Sequence, residues 1–469
     1  MIAAARAGAD ANEGSSVDIA GIDPAVVADV EAETSELLSR LIQIDTSNPP
    51  GDETRVAEFM DAWFREAGLQ GEIVGEPADR RSFVLRLEGR RPGPSLLFLA
   101  HEDVVPANAD DWQVPPFSGL IKDGYVWGRG AVDIKNLVAA HAVAVRRLAA
   151  AGATFSGTVV YACTADEEEG TVGGARWLVE HRPDLMHCDY VINEGGGHFL
   201  QHAGRPVYIL ESGEKGTAQF RVVVRGEAGH ASVPLRRGNA VVGAARIVEA
   251  LVAHELPLVI DGSSRELVEL LVDDPDLRAP LRDPDAARAA LAELARRDGR
   301  LADMIEPLYG FAFSPTIVHS NSVAVNVYPT RVELCVDCRM LAGHGEEEVE
   351  AEVRAALSGV DADWELEWIG VIRGNASPYP TKLSDAIRTV LGRHVRGAEL
   401  ANSHSAGFTD SNWFRSAYPD TVAYNFAPHV EESYDEVTGR YHNVDERIRV
   451  RDLAFQALFA ERLALELLP

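Results

Sequence analysis

The chain has no run of about 18 apolar residues, the length a helix needs to cross a bilayer. A membrane-spanning protein is therefore not expected. Cysteine is scarce: Cys163, Cys188, Cys335 and Cys338 are the four present, a usage that suits a reducing compartment better than a disulfide framework. Cys335 and Cys338 form a C-x-x-C, but they lie in Val332-Glu333-Leu334-Cys335-Val336-Asp337-Cys338, which alternates like a strand. With no second pair to complete a structural site, neither a redox nor a zinc role is assigned to them. Basic residues are in deficit, 44 against 73 acidic ones, for a net charge of −29. A surface so negative repels nucleic acid and anionic membranes, and most of the excess reads simply as a solvated face. A secretory start is lacking too: Met1 to Asp18 is rich in Ala and Gly, without a basic start or a continuous apolar stretch. It reads as a flexible tail, and the chain as cytoplasmic. No internal repeat or low-complexity tract stands out beyond the tail.

What is present is ample material for a core, 46% apolar with 25% charged residues over 469 positions. That length argues for two domains, one of them inserted in the other. From Pro24 to Ile42 apolar residues recur at helical spacing, with Asp23 as N-cap and Pro24 in the first turn. A second helix is expected from Glu53 to Ala67. Short apolar runs at Phe83 to Leu87, Leu96 to Ala100, Thr158 to Cys163 and Tyr190 to Ile192 read as buried strands, with helices at Asn136 to Ala150 and Gly174 to His181 between them. Such alternation implies a mostly parallel sheet covered by helices, whose ligands bind at the carboxyl ends of the strands.

After Gly213 a new alternation begins: strand Ala218 to Val224, helix Asn239 to His254, strand Val332 to Val336, helix Glu346 to Leu357 and strand Trp364 to Ile369. This predicts a small α+β domain of the split βαβ type. Within it, Asp261 to Ser314 is polar and helix-prone and reads as an insertion. Beyond Pro378, a helix (Leu383 to His394), a strand (Thr421 to Asn425) and a closing helix (Asp452 to Leu467) return to the earlier style. The expected division is thus a tail over 1–18, catalytic parts over 19–213 and 375–469, and an inserted domain over 214–374.

The chemistry-bearing residues sit where strands end. His101-Glu102-Asp103 follows the run Leu96 to Ala100; imidazole is a common metal ligand, and its free nitrogen needs an oxygen to orient it. Trp127-Gly128-Arg129-Gly130-Ala131-Val132-Asp133 delivers one carboxylate to the start of a helix, where it could bridge two cations or merely cap the helix. Asp166-Glu167-Glu168-Glu169 crowds four acids past a strand, a costly arrangement unless a cation or proton settles there. Neighbouring glutamates allow one to bind metal while the other takes a proton from water. Glu194 closes Tyr190 to Asn193 and is followed by three glycines, and His442 arrives shortly before the last helix.

These segments resemble, in order, the H-x-D, G-R-G-x-x-D, D-E-E-x-G, later acid and final His of the M20 family of metallopeptidases, and the likeness spans nearly the whole chain. His101 to Pro106 and Trp112 to Gly119 look most like the branch of carboxypeptidase S and the N-fatty-acyl amino acid hydrolases. The resemblance implies an α/β catalytic domain with an inserted ferredoxin-like lid that dimerises. It implies two zinc ions, with cobalt or manganese as substitutes: His101 and Glu194 on one, Glu168 and His442 on the other, Asp133 between them. Asp103 would orient His101 and Glu167 would be the general base. Gly229-His230-Ala231-Ser232-Val233-Pro234 resembles the lid signature in which His230 stabilises the oxyanion, often from the partner subunit, with a turn residue as the alternative for His230. Asn326 and Arg339 match lid residues that hold a substrate carboxylate, with a structural ion pair as the alternative for Arg339. Gly407 and Thr409 belong to a G-x-T-D loop lining the site; His404 matches no motif. The implied reaction is hydrolysis of N-acyl amino acids or small peptides ending in a free carboxylate. A dipeptidase or carboxypeptidase is the nearest rival, and a non-catalytic relative the rival of another class.

Overall fold

The computed structural model describes residues 19–170, 173–235 and 237–469; the tail expected over 1–18 lies outside the described residues. The chain divides into two compact units. Of the described residues, the larger comprises those up to Leu210 together with Ser377–Ala401 and Trp413–Pro469, and the smaller those of Glu211–Ala376 with Asn402–Asn412. No helix among the described residues is long and apolar enough to cross a membrane.

In the larger unit, strands Glu72–Val74, Ser82–Glu88, Ser156–Thr164, Arg91–His101, Tyr190–Asn193 and Val422–Asn425 lie side by side in that order. Arg91–His101 runs parallel to both of its neighbours, and Val422–Asn425 parallel to Tyr190–Asn193. The two strands at the Glu72 edge pair antiparallel. Leu96, Phe98 and Ala100 join the core shared with helices Pro24–Ile42, Lys135–Ala150 and Val450–Leu467, while Leu97 and Leu99 face the opposite layer with Leu178 and Phe414. Burial on both faces is why this strand reads as a continuous apolar run. The parallel register sets His101 opposite Thr164 and Phe98 opposite Ile192, so the segments following these strands leave the sheet at one edge. The helix Pro24–Ile42 has the predicted bounds, with Asp23 accepting the Ala25 N–H at 2.9 Å.

The smaller unit is an antiparallel sheet ordered Ala312–Ser320, Arg331–Met340, Gly216–Arg225, Asp363–Ile372. Helices Ala240–Ala253 and Glu346–Leu357 supply its core with Val224, Leu334 and Val336. The chain order strand, helix, strand, strand, helix, strand makes it ferredoxin-like, as expected. Cys335 and Cys338 lie within the strand Arg331–Met340 and are free thiols.

The insertion consists of helices Gly262–Leu271, Pro275–Leu281, Pro284–Arg297 and Gly299–Ile305, capped by Asp261, Asp274, Asp283 and Asp298. It ends earlier than the sequence suggests. Ala312–Ser320 is a strand, and its first residues belong to the sheet. Its apolar pattern is weak because it is an edge: Ile317 and Val318 are exposed, and Pro315 lies at a register shift, a position where proline is tolerated.

Candidate metal centre

His101 ends its strand with a buried ring. Its Nδ1 lies 3.0 Å from the carbonyl oxygen of Asp103 and 3.4 Å from the Asp103 carboxylate. An Nδ1–H donating there leaves the Nε2 lone pair facing outward, 3.3 Å from Asp133 and 3.7 Å from Glu194. The other oxygen of Asp133 lies 3.1 Å from Nε2 of His442, which is 3.2 Å from Glu168. Two groups able to hold a cation result, His101 with Asp133 and Glu194, and Asp133 with Glu168 and His442. Donors around one tetrahedral zinc, at bonds near 2.0–2.1 Å, stand about 3.4 Å apart, and these separations match. Nε2 of His101 and one oxygen each of Glu168 and Glu194 are buried without a hydrogen-bond partner, a condition that calls for a cation. The residues fit a pair of divalent ions.

The segments bearing Asp133 and His442 are fixed from behind. Asp133 does not cap the helix Lys135–Ala150, whose N-cap is Ile134. Instead, Glu446 accepts the N–H groups of Val132 and Asp133 at 2.7 and 3.1 Å and the Arg129 guanidinium at 2.7 Å. Arg129 also donates to the carbonyl of Asn443 at 3.1 Å. Glu446 thus joins the Asp133 loop to the segment bearing His442. Glu446 matched no motif in the sequence; its place four residues past His442 was the available signal.

The four crowded acids face different partners. Asp166, left-handed at φ 59°, pairs with Arg80 at 2.7 Å, and Arg80 also grips Glu53 at 2.7 Å. Glu168 faces His442, one oxygen of Glu167 lies 4.0 Å from His101, and Glu169 faces solvent. Asp103 reaches beyond His101: its carboxylate accepts the backbone N–H groups of Glu167 and Glu168, both at 3.1 Å, and the Asn48 amide at 2.8 Å. Neither Arg80 nor Asn48 carried a motif that pointed to it.

The electrostatics are those of an anionic cluster around two imidazoles. Burial raises the carboxyls of Glu194 and Glu168. It also works against ionised Asp133, but the two imidazoles outweigh it and hold that carboxyl below its usual range. For His101, burial opposes protonation, yet Glu194, Asp103 and Asp133 push it well up. His442, beside Asp133 and Glu168, is raised to about 10.

The remaining predicted residues belong to the smaller unit. There His230, on the short strand Gly229–His230, pairs with Val327, and its Nε2 lies 3.4 Å from the Asn326 amide, while Nδ1 lies 2.7 Å from the Ser232 hydroxyl. Arg339 donates to Asp337, two residues along its own strand, at 2.8 Å. Thr409 is buried and donates to Glu214 at 2.7 Å, and the Gly407 N–H donates to the Ser405 hydroxyl at 3.1 Å. His404 lies 3.4 Å from Asp261, the cap of the first insertion helix.

The sequence profile of peptidase family M20/M25/M40 matches residues 97–466. The chain belongs to this family. Among relatives of this M20 hydrolase, a succinyl-diaminopimelate desuccinylase of Xanthomonas euvesicatoria pv. vesicatoria is 28% identical over 382 residues, covering 80% of this chain and 85% of the relative. Of solved structures, the M20 family metallo-carboxypeptidase Sso-CP2 of Sulfolobus solfataricus is similar with a TM-score of 0.70 at 18% identity, covering 93% of this chain and 99% of that one. Human carnosine dipeptidase 1 gives 0.68 at 16% identity, over 94% and 98%. At such identities the structures bear on the fold, which is that of M20 peptidases.

Proposed function

We propose that this M20 chain is a two-zinc amidohydrolase that cleaves N-acyl amino acids, or small peptides, with a free carboxylate beside the scissile amide. The observation that carries the reading is the carboxylate of Asp133, with one oxygen 3.3 Å from His101 and the other 3.1 Å from His442. His101 and Glu194 would hold one ion and Glu168 and His442 the other, with Asp133 between them. Bound there, the ions polarise the amide carbonyl and acidify water. Glu167 takes the proton of the attacking water and returns it to the departing nitrogen. His230 donates to the oxygen on which charge develops, Asn326 and Arg339 pair with the substrate carboxylate, and Gly407 and Thr409 line the pocket. Zinc suits these imidazole and carboxylate donors, which also accept cobalt or manganese.

The name of the Xanthomonas relative supports the substrate class, because a succinyl-diaminopimelate is itself an acylated amino acid. Dipeptidase or carboxypeptidase activity is the second reading, favoured by the fold shared with Sso-CP2 and carnosine dipeptidase 1. A non-catalytic role would call for a missing ligand or base, and all are present. The smaller unit is proposed as a lid and dimerisation domain, in line with its exposed Val252, Ile317 and Val318. The free cysteines favour a cytoplasmic setting. The test is hydrolysis of a panel of N-acyl amino acids and dipeptides by zinc-loaded protein, with a chelated control and zinc restored. Zinc-dependent release of an acyl group is expected; preference for dipeptides would select the second reading, and no cleavage with two ions bound would overturn both.

A further inference from the structure

Two of the loops bearing the candidate ligands are fastened to each other by a contact outside every ligand motif. Glu194 is followed by Gly195, Gly196 and Gly197, all left-handed at φ 79°, 52° and 70°, a conformation suited to glycine. A Cβ on Gly196 would stand 2.5 Å from the Asn425 carbonyl oxygen, and one on Gly197 2.3 Å from the backbone of Ala427. The loop therefore lies flat against the chain that follows the strand Val422–Asn425. Gly197 donates to the Ile209 carbonyl at 2.6 Å and accepts the His429 N–H at 3.2 Å. This clamp delivers His198 inward, 4% exposed.

Nε2 of His198 lies 3.1 Å from the Tyr441 hydroxyl. Its ring stacks on His429 at 5.0 Å with planes 24° apart, and Tyr434 and Tyr441 stand edge-on to it. His429 in turn lies 3.4 Å from Asp452 and 3.3 Å from the Gln456 amide nitrogen, and Gln456 accepts the Asn136 amide at 3.1 Å. Burial, with His429 alongside, holds His198 well below the usual imidazole range, so it is a neutral ring with one donor and one acceptor nitrogen. Tyr441 immediately precedes His442, whose backbone is left-handed at φ 55° and whose side chain is 54% exposed. Arg440 on Glu432 and Arg129 on the Asn443 carbonyl hold the residues to either side. Tyr441 is thus the inward anchor of an imidazole that reaches outward.

We propose that His198 is a positioning residue: through Tyr441 it couples the Glu194 loop to the His442 loop and keeps the two ligand groups at the separation that allows both to be filled. The inference rests on reading those groups as a two-ion centre. Groups that orient ligands directly are worth about 10- to 100-fold in metal affinity or activity. His198 acts through one further residue, so the lower end is expected.

The test is titration of the full-length chain with Co2+, followed by visible absorption, for the wild type and for Tyr441→Phe, His198→Ala and His198→Gln, with kcat and KM on the best N-acyl amino acid. Tyr441→Phe keeps the ring and removes only the hydroxyl, so it tests the coupling even where His198→Ala fails to fold. It should bind the second Co2+ about tenfold more weakly, with kcat reduced and KM unchanged. His198→Gln, which retains a hydrogen-bonding group, should recover part of the loss seen in His198→Ala. A second-ion affinity and kcat like those of the wild type in Tyr441→Phe would overturn this inference alone. A wild-type chain taking up fewer than two Co2+ would remove the two-ion reading and this inference with it.

Discussion

The carboxylate of Asp103 accepts the backbone N–H of Glu167 at 3.1 Å while its second oxygen takes the N–H of Glu168. One side chain therefore sets the position of both the proposed base and a proposed ligand. In Asp103→Asn an amide nitrogen must face one of those N–H groups, and the loop is pushed away. Loss of about 10- to 100-fold in kcat is expected, with weaker metal retention. Steady-state kinetics with metal analysis checks this; unchanged values for both would show that the loop is held by other means.

Glu167 lies beside the centre without belonging to either ligand group. Glu167→Gln should keep two ions per chain and lose at least about 10²-fold in kcat, the low end of what a positioned base contributes. Full turnover by a metal-loaded Glu167→Gln preparation would dismiss the mechanism. Loss of an ion instead would make Glu167 a ligand.

Metal uptake should release protons. His442 is raised to about 10 by Asp133 and Glu168, more than burial lowers it, so at neutral pH the ring carries a proton that a cation must displace. The sign follows: affinity falls as pH falls, and rises with pH until about 10, tenfold per unit for each proton displaced. Calorimetric titration with Zn2+ in buffers of different ionisation enthalpy would measure the release. An affinity constant between about pH 6 and pH 9 contradicts it.

Glu446 is fully buried, and burial, opposed by the Val132 N–H and Arg129, brings its carboxyl up to about 7. Glu446→Ala would leave two N–H groups without their acceptor and the Arg129 guanidinium with the Asn443 carbonyl but no carboxylate. A cost of about 3–5 kcal/mol is expected, the range for breaking a buried pair from one side. Urea unfolding of chelated protein would measure it. Glu446→Gln, which still offers an oxygen, should lose less.

Where burial follows the chemical period, the sequence was legible. Pro24–Ile42 could be read because Val30, Leu37, Leu38 and Leu41 repeat on one face, and Leu96 to Ala100 because both its faces are covered. The strand Ala312–Ser320 was hidden because an exposed edge has little alternation to show. The candidate ligands His101, Glu168 and Glu194 announced themselves by residue type past strand ends, and the resemblance to a known family set the order of all five. The residues that hold their loops did not: Arg80 and Asn48 lie far in sequence from Asp166 and Asp103, and His198 lies 243 residues from Tyr441, so these pairings are fixed only by the folded chain. Arg339 is the opposite case, since its pairing with Asp337, two residues along the same strand, is local enough to be expected from the sequence.

His101 and His442 meet the two oxygens of one aspartate although 341 residues separate them along the chain, the difference of their numbers. During synthesis on the ribosome the first group can therefore be assembled while the second still lacks its imidazole. On the proposed reading, a chain cut short before His442 keeps the donors proposed for the first ion and lacks an imidazole for the second.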